Sequence, residues 1–92
     1  VRVQGSGKTL EVEPQLQPGS SVAKVFTLAN PPRLVVDLNG SSPKGTPQVA
    51  GRSGVTNVRL GSRKGGTRLV LDLHKPATKV QASGNHIVVE TQ

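Results

Sequence analysis

Arg33-Leu34-Val35-Val36-Asp37 and Arg68-Leu69-Val70-Leu71-Asp72 are two copies of one five-residue pattern: polar, apolar, variable, apolar, acidic. Looser copies stand at Thr9-Leu10-Glu11-Val12-Glu13 and His86-Ile87-Val88-Val89-Glu90, and four of the five acidic residues occupy the last position of a copy. Side chains alternate across a strand, so positions two and four face a core and positions one, three and five face out. The pattern predicts Leu34, Val36, Leu69, Leu71, Ile87 and Val89 inside, with Arg33, Val35, Asp37 and Arg68, Val70, Asp72 forming two outward stripes.

Around these copies, helical periodicity is nearly absent. Eleven Gly and seven Pro punctuate short β-branched runs, which read as strands near 1–4, 8–13, 22–28, 33–38, 55–60, 67–73, 78–82 and 86–91. About eight short strands without a long helix mean an all-β fold, a sandwich or a barrel. Residues 39–54 carry four Gly, three Ser and two Pro and read as a surface connection. The segments on either side, 1–38 and 55–92, resemble each other. Val1-Arg2-Val3 echoes Val58-Arg59-Leu60, and Ala23-Lys24-Val25 echoes Thr78-Lys79-Val80. The expectation is a single domain over 1–92, a sandwich of two packed, pseudo-symmetric sheets, each half supplying one wall.

The 92 residues suffice for one domain. Its core must be aliphatic, because Val supplies 14 residues and Leu 9, while Phe26 is the only aromatic and is needed inside. With no Cys there is no disulfide scaffold and no thiol chemistry. No apolar run reaches the roughly 18 residues of a membrane span, so no membrane insertion is expected. The chain does not begin with Met and shows no signal peptide, which reads as an excised module or a processed mature segment.

Charge is lopsided: 12 Lys/Arg against 5 Asp/Glu give +7, and most of the excess lies in the second half. Such a balance favours anionic partners, although net charge also serves solubility alone. Arg52, Arg59, Arg63, Lys64 and Arg68 follow one another without an intervening acid, and Arg63-Lys64-Gly65-Gly66 reads as a hairpin tip projecting charge. Arg59, Arg63 and Lys64 form a secondary basic patch. Nucleic acid is disfavoured as a partner, since single-strand binders stack bases on aromatic platforms that this chain lacks.

The stripes admit two readings. Arg and Asp four residues apart on a strand lie roughly 13 Å apart, too far to pair, but between antiparallel neighbours the Arg of one copy faces the acid of the other. Exposed pairs of that kind contribute about 0–1 kcal/mol. Alternatively, Arg grips carboxylates, Asp accepts from hydroxyls or amides, and the intervening Val covers an apolar ligand face. One such stripe in each half would give two binding surfaces.

Catalysis finds no constellation. His74 and His86 lack metal-ligand spacing, no Ser lies in G-x-S-x-G, and Gly5-Ser6-Gly7-Lys8-Thr9 lacks the first Gly and the helix of a phosphate loop. No catalytic residue, metal site or cofactor is expected.

Phe26-Thr27-Leu28-Ala29-Asn30-Pro31-Pro32-Arg33-Leu34-Val35-Val36-Asp37-Leu38, followed by Val58-Arg59-Leu60-Gly61 and Thr67-Arg68-Leu69-Val70-Leu71-Asp72-Leu73, resembles an AMIN domain over nearly the whole chain. AMIN domains precede the catalytic domain of periplasmic N-acetylmuramoyl-L-alanine amidases and also occur in type IV pilus secretins. The resemblance implies a sandwich of two symmetric β-sheets and a non-catalytic module. It implies that the module binds peptidoglycan and carries its parent to the division septum or envelope, in the periplasm, with envelope or divisome proteins as further partners. By motif position it points to Arg33 and Asp37, then Arg68 and Asp72. The alternative it leaves is a protein-interaction or wall-anchoring domain of a secretin, docking by an exposed sheet edge.

Overall fold

The computed structural model describes residues 1–6, 8–40, 48–49 and 54–92. Its strands are β1 (Arg2–Ser6), β2 (Thr9–Glu13), β3 (Ser21–Ala29), β4 (Pro32–Asn39), β5 (Gln48–Val49), β6 (Val55–Arg63), β7 (Gly66–Leu73), β8 (Ala77–Ser83) and β9 (His86–Thr91). Two four-stranded antiparallel sheets, β1-β2-β9-β8 and β3-β4-β7-β6, make an all-β sandwich; the two-residue β5 adds to the first sheet, parallel to β1. The described residues contain no helix. Of the connection expected over 39–54, Asn39 ends β4 and Gln48–Val49 pair with β1; most of the rest, with Arg52, lies outside the described residues.

Alternation builds the core. Leu34, Val36, Leu69, Leu71, Ile87 and Val89 are all fully buried, as expected, and they pack with Val3, Leu10, Val12, Leu38 and Leu73. Tight turns join β3–β4, β6–β7 and β8–β9. At β6–β7, Gly65 adopts φ +83°, in the left-handed region that favours glycine. Gly66 follows because a Cβ there would collide with the Leu38 carbonyl oxygen.

The halves do not each build one wall. Each contributes one hairpin to each sheet: β1–β2 and β8–β9 to the first, β3–β4 and β6–β7 to the second. The cause is the pairing of the five-residue pattern with itself. β4 pairs β7 so that Arg33 faces Asp72, Val35 faces Val70 and Asp37 faces Arg68. β2 pairs β9 in the same register, with Thr9 facing Glu90 and Glu11 facing Val88. The sheets are thus related by exchange of the halves: β1-β2-β9-β8 corresponds to β6-β7-β4-β3. Even a bulge is repeated, between Val22 and Lys24 in β3 and between Ala77 and Lys79 in β8, so the echo of Ala23-Lys24-Val25 in Thr78-Lys79-Val80 is structural. The echo of Val1-Arg2-Val3 is offset: Val3 faces Val12 as Val58 faces Leu71.

Candidate functional site

The outer face of β3-β4-β7-β6 is a grid of cross-strand rows. Leu28, Arg33, Asp72 and Asn57 form the first; Phe26, Val35, Val70 and Arg59 the second; Lys24, Asp37, Arg68 and Gly61 the third. The two outward stripes therefore lie side by side on adjacent strands of one sheet, giving one surface where two were expected.

Three residues sit differently from their sequence-based assignment. Val35 lies on the outer face but is only 3% exposed, being flanked by Phe26 and Val70 in its own row. Asp37 is also buried, under the arginines described below. Phe26 is outside the core and half-buried on the outer face. The bulge between Val22 and Lys24 shifts the alternation of β3, so that Val22 and Val25 both pack on the core and Lys24 and Phe26 turn out. The Lys24 Nζ stands 5.2 Å and the Arg68 guanidinium 5.9 Å from the Phe26 ring centre, within cation–π range. Nothing in simple alternation points to Phe26 or Lys24; the bulge is what places them here.

The third row is electrostatically closed. Arg68 Nε and Nη2 donate to Asp37 Oδ1 and Oδ2 at 2.8 and 3.2 Å. Arg63 Nε adds a cation 3.9 Å from Oδ2, while its Nη1 donates to the Leu38 carbonyl at 3.1 Å. The hydrogen bonds from Arg68, with the charges of Arg68, Arg63 and Lys24, hold the Asp37 carboxyl below its ordinary pKa against the opposing effect of burial. The Arg68 guanidinium is correspondingly pushed up by Asp37.

The first row is open. Asp72 is in register with Arg33, yet its Oδ1 accepts from Arg59 Nη2 at 2.9 Å, with Arg59 53% and Asp72 28% exposed. Arg33 Nε is buried and has no hydrogen-bond partner among the described residues. Beside it lies an open groove of about 510 Å³ bordered by Pro31, Pro32, Arg33, Thr56, Asn57, Arg59, Asp72 and Leu73.

Arg59 and Arg63, assigned from sequence to a separate basic patch, thus belong to the same surface as Arg33 and Arg68; Lys64 alone remains exposed at the hairpin tip. Among the described residues, this face carries Lys24, Arg33, Arg59, Arg63 and Arg68 against Asp37 and Asp72. The opposite outer face carries Arg2 and Lys79 against Glu11, Glu13 and Glu90, with the His86 Nδ1 3.6 Å from Glu13. No group of three or more His, Cys, Asp or Glu side chains placed to hold a metal occurs among the described residues.

Searches of curated proteins and of solved structures gave no significant match. The model of the AMIN domain matches residues 1–91, the whole span of both sheets, and the chain belongs to the AMIN domain family.

Proposed function

We propose that this AMIN domain is a non-catalytic peptidoglycan-binding module. In this reading it localises its parent protein, a periplasmic cell-wall amidase, to the division septum or envelope. AMIN domains occur in periplasmic proteins, where peptidoglycan is the anionic polymer at hand. The observation that carries the reading is the polarised charge among the described residues: five cations and two carboxylates on the β3-β4-β7-β6 face, opposed by three carboxylates and two cations on the other. Stem-peptide carboxylates suit arginine forks, and the apolar centre that Phe26 and Val70 form over the buried Val35 suits the aliphatic parts of the polymer. Binding at each site is weak and is raised by the repetition of the polymer. The proposed contacts are made by Arg33, Arg59, Arg68 and Lys24, with Asp37 and Asp72 orienting the arginines and Phe26 and Val70 forming the floor above the buried Val35.

Co-sedimentation with purified, protein-free sacculi tests this. The chain should sediment at low salt and less so as ionic strength rises. Lys24→Gln with Arg59→Gln should weaken sedimentation. Arg2→Gln with Lys79→Gln removes the same charge from the opposite face and should not. Equal loss in both double variants, or equal retention by heparin, would reduce the association to net charge. No sedimentation at low salt would remove the reading.

A further inference from the structure

The two polar rows of the cationic face differ in one respect. In the row of Asp37 both neighbouring arginines have acceptors, Arg68 on the carboxylate and Arg63 on the Leu38 carbonyl. In the row of Asp72 the one carboxylate is taken by Arg59, and Arg33 keeps a buried Nε–H without an acceptor among the described residues. A buried donor on a charged group is costly to leave unpaired. This end of the sheet is therefore one acceptor short, and the unfilled donor borders the groove.

We propose that the groove binds a carboxylate-terminated aliphatic peptide, and that Asp72 changes partner when it binds. The incoming carboxylate takes the exposed Arg59 fork. Asp72, released, turns to Arg33, the residue it already faces in the β4–β7 register. Each guanidinium then has its own carboxylate. The Asn57 side chain is placed to meet the peptide amides, and the rings of Pro31 and Pro32 form an apolar wall for a short aliphatic side chain. The site deepens the wall-binding reading and rests on it only for the source of the carboxylate, which a stem peptide or a protein terminus can equally supply.

Titration of the ¹⁵N-labelled chain with N-acetyl-D-alanyl-D-alanine, its C-terminal amide and N-acetyl-L-alanyl-L-alanine tests the proposal. The carboxylate probe should shift the Arg33 Nε–H and the Asn57 amides, and the amide probe should not. Arg59→Gln should weaken binding roughly ten-fold or more, as expected for loss of a charge-assisted contact. Asp72→Asn should tighten it, because the internal competitor is gone. Preference for the D-peptide assigns the source to the wall; equal affinity supports the same site with protein termini as a source. Absence of shifts in the groove, equal binding of the amide, or weakening by Asp72→Asn would overturn the proposal. If sacculi retain the chain but no dipeptide moves the groove, wall binding stands and the carboxylate site falls. If the dipeptide binds and sacculi do not, the site stands and wall binding falls.

Discussion

Arg68 on β7 grips Asp37 on β4 with two nitrogens, at 2.8 and 3.2 Å, and the gripped carboxylate is only 6% exposed while Arg68 remains half in solvent. The pair joins the two copies of the sequence pattern at the centre of the sheet. It differs from an exposed ion pair because one partner has already given up its water.

That asymmetry gives a pH dependence. The folded-state pKa of Asp37 lies below its value in the unfolded chain, about 3.9. Its contribution to stability is therefore fully present above about pH 4 and is lost as pH falls through the depressed folded value. Asp37→Asn removes the contribution at every pH. The gap in melting temperature between parent and variant should be widest near pH 7 and should narrow steadily as pH falls below about 4. A gap that stays constant over that range would show that the carboxylate charge is not what stabilises the pair.

The two faces of β7 should respond differently to truncation. Leu71 is fully buried between the sheets, and Leu71→Ala should cost about 2–5 kcal/mol in urea unfolding. Val70, its neighbour on the outer face, is half-buried; Val70→Ala should cost about 1 kcal/mol. Equal costs would mean that the core is not where the alternation places it.

Gly66 and Gly61 make a second contrast. A methyl group at Gly66 would collide with the Leu38 carbonyl oxygen, the same atom that accepts from Arg63, so Gly66→Ala must displace either the β4 backbone or the hairpin. We expect a loss of about 1–3 kcal/mol. At Gly61 a Cβ would meet nothing within 4 Å, and Gly61→Ala should stay within about 0.5 kcal/mol of the parent. Thermal unfolding of both variants checks the difference.

The ring contact can be isolated by a double-mutant cycle of Phe26→Leu with Lys24→Gln. The coupling energy should be about 0.5–1 kcal/mol at this exposed site. No coupling would leave Phe26 as apolar cover for Val35 alone.

Much of this architecture could be read from residue spacing. Leu34, Val36, Leu69 and Leu71 fell inside because period-two alternation follows directly from strand geometry. The facing of Arg33 with Asp72 and of Asp37 with Arg68 followed from antiparallel pairing of one pattern with itself. Which hairpin joins which sheet was not legible, since alternation is silent on strand order. The bulge in β3 was not legible either, and it reversed the side on which Phe26 and Lys24 lie. Nor could spacing show that Asp72 would accept from Arg59 in preference to Arg33; that choice depends on the reach of an arginine from a third strand.

The exchange of hairpins between sheets also sets the order in which the chain can fold. Each hairpin is local and can form within microseconds, but each sheet is joined only by a distant partner: β4 with β7, and β2 with β9 near the opposite end of the domain. Within the domain, the β1–β2 hairpin is made before β8–β9, and it waits for that later hairpin before its inner edge is covered. Closure of such long loops places the domain among slow, high-contact-order folders, and until β9 arrives the exposed edge of β2 is shielded by little more than the charges of Glu11 and Glu13.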